Sequence, residues 1–214
     1  MTFQERLASL QKRIEGSMPQ RYVDIMHKAT RQLKESGIQE KVLKVGDKIP
    51  DFELPNQDGI LVKASELYQK GPLIITFYRG FWCPYCNTDL ANLKKYVPEI
   101  EELGGAMIAV SPEKEIHSKK IIETQKLNFD ILMDQSNGVA EQFGLKFFIP
   151  NELKELYRDV FNIPLNEYHG DEEWSLPMPA RFLIDQDGII RFAESNPDYT
   201  IRPEPDDLMA VLKK

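Results

Sequence analysis

Three short apolar runs, separated by segments with helical periodicity, constrain the fold of this chain more than any other feature of its sequence. All three are short enough for buried strands, and the first, LIITFY, is rich in β-branched residues. They lie at residues 73–78, 106–110 and 129–133. The intervening patterns predict helices at 84–102, 113–126 and 137–143, and strands that alternate with helices indicate an α/β fold.

A hairpin and a final helix complete the alternation. RFLID at 181–185 and IIRFAES at 189–195 flank an Asp-Gly turn, a combination typical of two antiparallel strands. PEPDDLMAVLKK at 203–214 has proline in its first turn and lysine in its last, as many helices do. These elements together predict a central mixed β-sheet flanked by helices.

Residues 1–43 predict an N-terminal helical extension. Leu7, Leu10 and Ile14 recur at helical spacing, a second helical pattern follows a break at 16–19, and Gly37 is expected to end it. We predict two helices packed on a main domain of residues 44–214. A dimerisation element is the alternative, and it would make the protein a homodimer. Within the main domain, 145–180 resembles an insertion, with a helix at 151–160 and a loop at 162–174.

Composition and charge exclude several functions. The chain has 214 residues, of which 42% are hydrophobic and 29% charged, as in ordinary globular proteins, and its net charge is −7. An acidic chain without a long Lys/Arg cluster is a poor ligand for nucleic acids or anionic membranes. The N-terminal sequence has no apolar signal region, and no segment approaches the roughly 18 apolar residues of a membrane span. We therefore expect a cytoplasmic location.

The only two cysteines, Cys83 and Cys86, stand three residues apart at the predicted start of a helix, where Pro84 suits the first turn. Unpaired N–H groups and the positive end of the helix dipole favour a thiolate there. Arg79 adds a nearby cation. The pattern predicts a redox-active pair in which Cys83 attacks a substrate and Cys86 resolves the intermediate as an internal disulfide.

Two structural interpretations of the pair compete with the redox one. Half of a zinc site would need two further ligands, but His27, His117 and His169 do not stand at ligand spacing to the cysteines. Free cysteines can also fill a core as small hydrophobic residues, although the preceding Trp82 and the strand–turn–helix context argue against this. We expect no metal and no cofactor, with the histidines at the surface or in helix caps.

Further residues are candidates for supporting the sulfurs. Pro84 and Tyr85 lie within the pair, and Trp82 either shields it or packs on the helix. Pro179 directly precedes the predicted hairpin. In a cis conformation it would leave a backbone edge open to a substrate, and a trans loop proline is the equal alternative. Trp174 is expected to be structural.

Three strings of this sequence resemble one known family. VGDKIPDFELPNQDG at 45–59, LIITFYRGFWCPYC at 73–86 and PARFLIDQDGIIRFA at 179–193 are similar to peroxiredoxin-like proteins of the alkyl hydroperoxide reductase/thiol-specific antioxidant (AhpC/TSA) group. The resemblance covers about residues 44–214. It implies a thioredoxin-like fold with peroxiredoxin-type additions, and peroxide reduction with electrons from thioredoxin, glutathione or a similar thiol.

The chain departs from the family at its Pro-x-x-x-Thr/Ser-x-x-Cys motif. With Cys86 at the motif cysteine, Cys83 and Arg79 occupy the Thr/Ser and Pro positions. With Cys83 there instead, those positions hold Gly80 and Thr76. Neither alignment gives the full motif, and the one through Cys86 would reverse the roles of the two sulfurs.

A second departure concerns the arginine that binds peroxide in the family. That position, three residues before the strand phenylalanine, is Pro179, where thioredoxins keep a cis-proline. Arg181 lies two residues away, so the role is not carried over to it. The chain is thus similar to peroxiredoxins in layout and to thioredoxins at the sulfurs.

Three functions follow, two of them enzymatic and the third from a different class. The first is a thiol peroxidase that reduces hydrogen peroxide or organic hydroperoxides, with attack on the O–O bond giving a sulfenic acid. The second is a disulfide reductase of the thioredoxin or glutaredoxin type. The third is a non-catalytic redox-sensing module whose disulfide state changes a partner interaction.

Overall fold

A computed structural model describes residues 1–214, the whole of the chain. The helices are α1 (Phe3–Gly16), α2 (Gln20–Glu35), α3 (Ile38–Lys41), α4 (Ala64–Tyr68), α5 (Pro84–Leu93), α6 (Val97–Glu102), α7 (Glu115–Gln125), α8 (Gly138–Gln142), α9 (Asn151–Glu155), α10 (Leu165–His169) and α11 (Pro205–Leu212). The strands are β1 (Glu53–Pro55), β2 (Leu61–Lys63), β3 (Leu73–Phe77), β4 (Ala106–Ser111), β5 (Asp130–Met133), β6 (Lys146–Phe148), β7 (Ser175–Pro177), β8 (Ala180–Ile184) and β9 (Ile190–Ser195). None of the helices is long and apolar enough to cross a membrane.

A five-stranded mixed sheet forms the centre of the molecule, in the order β5–β4–β3–β8–β9. Strands β3, β4 and β5 run parallel, whereas β8 is antiparallel to β3 and β9 is antiparallel to β8. The pairs β1–β2 and β6–β7 form separate two-stranded ladders. The predicted central mixed sheet flanked by helices is confirmed, because the parallel strands come from the apolar runs and the antiparallel pair from the hairpin.

The two faces of the sheet belong to two different hydrophobic clusters. Alternate side chains of β3 point to opposite faces, so Leu73, Ile75 and Phe77 join one cluster while Ile74 joins the other. Helices α3, α4 and α8 cover the first face, and α1, α5, α6, α7 and α11 cover the second. The start of α5, where the cysteines lie, is therefore packed inside the second cluster.

The N-terminal helices pack on the rest of the chain. Thr2 and Glu5 form a capping box that begins α1, and Leu7 is buried in the same cluster as the cysteines. Helix α2 contacts α9 and closes a third cluster that includes Met26 and Trp174. The two helices expected in this region are present, and Trp174 is a buried structural residue, as the sequence predicts. The division of the chain near residue 43 and the homodimer stay predictions.

Two local predictions were wrong. The single helix expected at 84–102 is broken between Leu93 and Val97. Pro98 explains the break, because it lacks an N–H and its ring clashes with the carbonyl oxygen four residues earlier, whereas it is tolerated in the first turn of α6. The loop expected at 162–174 contains the short helix α10, which begins directly after Pro164.

Candidate active site

The turn between β3 and α5 depends on Gly80. Its φ of 151° lies in a region that favours glycine. A Cβ atom there would lie 2.4 Å from Trp82 Nε1 and 2.6 Å from Glu113 Oε1, distances at which any side chain would clash. The Cys83 N–H donates to the Gly80 carbonyl oxygen at 3.1 Å, so the turn delivers Cys83 directly to the start of the helix.

The two cysteines lie at the N-terminus of α5, as the sequence predicts. Cys83 is the N-cap residue, Pro84 follows it in the first turn, and Cys86 lies on the first helical turn. Both are free thiols and both are buried, with 1% and 0% of their surface exposed. A substrate therefore reaches the sulfurs only through an opening that leads inside the protein.

Arg79 is a buried cation held mainly by aromatic rings. Its guanidinium carbon lies 4.0 Å from the Tyr199 ring centroid and 4.8 Å from that of Trp82, and one N–H donates to the Tyr157 hydroxyl. The nearby groups that act on its charge are tyrosines and the two cysteines, none of them a carboxylate. Its Nε has no hydrogen-bond partner although the residue is only 2% exposed. The positive charge of Arg79 is therefore available to the sulfurs.

A second arginine, which the sequence analysis did not identify, contacts a sulfur directly. Arg202 Nη2 donates to Cys86 Sγ at 3.1 Å, and its Nε lies 3.4 Å from the Asp89 carboxylate. Asp89 also accepts from Arg181 at 2.7 Å. Arg181 is therefore engaged in a buried ion pair, and Arg202 is the guanidinium that reaches the pair. No local signal identifies Arg202, because 116 residues separate it from Cys86.

These surroundings shift the pKa values of the two thiols in opposite directions. Burial opposes ionisation of Cys83, but a hydrogen bond from Cys86 and the charges of Arg79 and Arg202 outweigh it and lower the pKa of Cys83 to about 6. Burial and the neighbouring Cys83 raise the pKa of Cys86 well above its usual value. The arrangement favours one shared proton, with the negative charge on Cys83.

Glu113 is a second residue that the sequence analysis missed. Its Oε2 accepts from the Phe81 backbone N–H at 2.7 Å, which ties the end of β4 to the turn before Cys83. The residue is 1% exposed, and Oε1 has no partner. Burial and the nearby Cys86 raise the pKa of Glu113 well above its ordinary value, although the hydrogen bond from Phe81 lowers it. Glu113 therefore fixes the turn before Cys83 from the end of β4.

The remaining predicted residues lie around the pair. Trp82 is half-buried and meets Tyr157 edge-on, with ring centroids 5.4 Å apart. Tyr85 is buried and meets Tyr199 edge-on, with the ring centroids 5.6 Å apart. Pro179 is trans, since the chain has no cis peptide bond, and its carbonyl oxygen accepts from the Asn196 N–H. The open backbone edge considered for a cis Pro179 is thus absent.

The histidines do not all lie where they were expected. His27 pairs with Glu15 near the surface, and His117 stacks on Phe81 with the ring centroids 4.6 Å apart. His169 is 2% exposed with both ring nitrogens unpartnered, so its expected place at the surface or in a cap was wrong. Nowhere in the chain do three or more His, Cys, Asp or Glu side chains lie close enough together to hold a metal ion.

Comparison with known sequences places these residues in a family context. The sequence profile of the AhpC/TSA family matches residues 45–193. Peroxiredoxin Bcp of Escherichia coli K12 is 32% identical over 124 residues, which cover 56% of this chain and 79% of that protein. Peroxiredoxin Bcp of Bacillus subtilis is 29% identical over 149 residues, or 68% of this chain and 81% of that protein.

Solved structures agree at the level of fold. The crystal structure of peroxidoxin BcpB from Mycobacterium tuberculosis superposes with a TM-score of 0.62 at 24% identity, covering 80% of this chain and 97% of that one. The crystal structure of a peroxiredoxin-like protein from Aquifex aeolicus superposes with a TM-score of 0.61 at 19% identity. The match covers 80% of this chain and 87% of that one. The predicted thioredoxin-like fold is thereby confirmed. Helices α1 and α2 precede the residues that the family profile matches.

Proposed function

Because the chain belongs to the AhpC/TSA family, we propose that it is a thiol-dependent peroxidase whose Cys83–Cys86 pair cycles between dithiol and disulfide. One observation carries this proposal: two thiols share the N-terminus of α5 with two buried guanidiniums, and the pKa of Cys83 falls to about 6. At neutral pH the thiolate is then the dominant form of Cys83. Thiolate is the reactive form of cysteine towards peroxides.

The reaction proceeds in two steps. The Cys83 thiolate attacks the terminal oxygen of the peroxide, so that an S–O bond forms as the O–O bond breaks and the other oxygen leaves with the electron pair. That oxygen takes a proton and departs as water or an alcohol. Cys86 then attacks the sulfenic acid, which releases water and forms the disulfide, and a thiol donor of two electrons regenerates the dithiol.

Arg79 and Arg202 have complementary roles in this scheme. The charge of Arg79 stabilises the Cys83 thiolate and the oxygen that becomes negative as the O–O bond breaks. Arg202, at 3.1 Å from Cys86 Sγ, holds the resolving sulfur. Trp82 and Tyr85 form the walls around the pair, and Glu113 fixes the turn before Cys83.

Substituting Cys83→Ser and Cys86→Ser separately tests the order of attack. We expect Cys86→Ser to react with hydrogen peroxide at nearly the wild-type rate and to accumulate a sulfenic acid on Cys83, trapped with dimedone and located by mass spectrometry. Cys83→Ser should react at the slow rate of a free thiol. A trapped sulfenic acid on Cys86 in Cys83→Ser, formed rapidly, would reverse the two roles as the alignment through Cys86 does.

The disulfide reductase is the second candidate, and the Cys-Pro-Tyr-Cys sequence at a helix N-terminus favours it. The burial of both sulfurs argues against it, because attack on a protein disulfide needs an accessible nucleophile, whereas a peroxide is small. We expect insulin reduction with excess dithiothreitol to proceed no faster with the protein than without it. Rapid insulin turnover together with slow oxidation by peroxide would favour the reductase.

The partners of the reaction are proposed from the family resemblance. A thioredoxin- or glutathione-type thiol is the proposed electron donor, and a cytoplasmic location and a homodimer belong to the same proposal. Rates of disulfide reduction with thioredoxin and with glutathione identify the donor, since the physiological one should reduce the oxidised protein much faster than the other.

A further inference from the structure

A cavity of about 380 Å³ lies between α2 and the segment that begins with β6. Its walls are largely apolar, and a volume of this size is within the range of small-molecule sites. One wall comes from α2 and the other from the insertion. The apolar side chains of the two walls include Met26, Ala29, Leu33, Phe147, Ile149 and Leu153.

The inner end of this cavity is formed by residues of the candidate active site. Arg79, Pro179 and Tyr199 all line it. Arg79 is 2% exposed, lacks a carboxylate partner and leaves Nε without a hydrogen bond. The free Nε–H can donate to a bound oxygen, and the guanidinium charge that stabilises the Cys83 thiolate also attracts an oxygen that becomes negative. The cavity therefore ends on a group suited to an oxygen that carries or develops negative charge.

Tyr199 connects the cavity to the sulfurs. Its hydroxyl donates to Met26 Sδ on α2 at 3.6 Å, and its ring lies 4.0 Å from the Arg79 guanidinium. Its backbone carbonyl accepts from Arg202, whose other nitrogen contacts Cys86 Sγ. A molecule in the cavity is therefore separated from the reactive pair by one side chain and its two arginine neighbours.

We propose that this cavity binds the apolar part of an organic hydroperoxide and directs its O–O bond past Tyr199 towards Arg79 and the sulfurs. The proposal rests on the peroxidase function. Neither sulfur lines the cavity, but Arg79 connects the two, because it lines the cavity and its charge interacts with both cysteines. Because α2 precedes the residues shared with the AhpC/TSA profile, one wall of the site comes from the N-terminal extension of this chain.

The chemistry of the step follows from this placement. The thiolate attacks the terminal oxygen, the S–O bond forms, and the O–O bond breaks with its electron pair going to the oxygen attached to carbon. Arg79 stabilises that alkoxide until it takes a proton and becomes an alcohol. Hydrogen peroxide undergoes the same step, but gains nothing from the apolar walls.

Ala29→Trp tests the proposal by filling the cavity, and Arg31→Trp is its matched control on the exposed face of the same helix. Stopped-flow oxidation is measured with cumene hydroperoxide and with hydrogen peroxide. We expect cumene hydroperoxide to oxidise the wild-type protein at least about tenfold faster, Ala29→Trp to remove most of that advantage, and Arg31→Trp to keep it. The milder Leu33→Phe replaces Ala29→Trp if thermal unfolding shows that the latter is not folded.

Two results would overturn the site: a cumene hydroperoxide rate that Ala29→Trp leaves unchanged, or one that it lowers only in parallel with the hydrogen peroxide rate. Binding of cumyl alcohol, the unreactive product, to the Cys83→Ser/Cys86→Ser double variant separates this from the peroxidase proposal. If calorimetry detects binding of cumyl alcohol to the double variant, and adding Ala29→Trp abolishes it, the cavity is supported even if no peroxide oxidises the protein. Lack of binding overturns the cavity even if the peroxidase activity is high.

Discussion

Two arginines determine the electrostatics of the cysteine pair, and they reach it by different routes. Arg79 stands four residues before Cys83 and is held over aromatic rings. Arg202 comes from the segment before α11 and donates to Cys86 Sγ at 3.1 Å. Their combined charge, with the hydrogen bond between the thiols, overcomes the burial that would otherwise favour the neutral form of Cys83.

Removing the charge of Arg79 should therefore raise the pKa of Cys83. Since a nearby cation stabilises the thiolate, we expect Arg79→Met to move the titration midpoint from about 6 upwards by about one unit or more, and Arg79→Lys to move it less. The thiolate absorbance in the ultraviolet, followed against pH, reports the midpoint. Relative to the wild type, the oxidation rate of Arg79→Met should be lowered most between pH 6 and 7, where at least about half of the wild-type Cys83 is thiolate. An unchanged midpoint in Arg79→Met would remove Arg79 from the proposed mechanism.

At the scale of elements, Asp89 holds the catalytic helix in place. It lies on α5, one turn after Cys86, and its carboxylate meets Arg181 of β8 and Arg202 of the C-terminal segment. All three side chains are at most 4% exposed. The ion pairs therefore fix α5 against the sheet and keep Arg202 beside the sulfur.

Asp89→Asn should destabilise the protein, because it leaves two buried guanidiniums without a counter-charge. We expect a loss of about 3–5 kcal/mol in the free energy of unfolding, measured by urea denaturation. Asp187→Asn, in the exposed hairpin turn, is the matched control and should stay within about 0.5 kcal/mol of the wild type. A loss for Asp89→Asn no larger than the control's would mean that neighbouring groups already balance the arginines.

At the scale of the whole molecule, three hydrophobic clusters hold the chain together, and a few ionisable groups are buried among them. His169, at the end of α10, is the histidine buried most deeply. Burial lowers its pKa to about 4, with Asp171 opposing the shift and His117 adding to it. An unfolded chain would bind a proton on this histidine near pH 6.5.

The folded protein should thus lose stability on acidification through His169. Because the folded pKa is the lower one, the contribution is complete above pH 6.5 and is lost as the pH falls towards 4. Between pH 7.5 and pH 5 we expect the free energy of unfolding of the wild type to fall by about 2 kcal/mol more than that of His169→Gln. Urea denaturation at the two pH values measures the difference, and parallel losses would show that His169 is accessible to protons in the folded state.

The sequence by itself determined the local elements and the reactive pair. Short apolar runs specify β3, β4 and β5, and the Asp-Gly turn specifies the hairpin of β8 and β9, because backbone geometry and side-chain alternation act over a few residues. The same holds for Cys83 at the start of a helix, where Pro84 and the spacing to Cys86 are local signals. The break at Pro98 was also readable, but the apolar pattern on either side hid it.

Only the tertiary structure decided what surrounds that pair. Arg202 and Asp89 meet through contacts between segments more than a hundred residues apart, and Glu113 reaches the turn from the loop after β4. The cavity forms where α2 meets the insertion. Each depends on how distant apolar faces pack, because packing is set by the whole set of buried surfaces and no short window of sequence contains them.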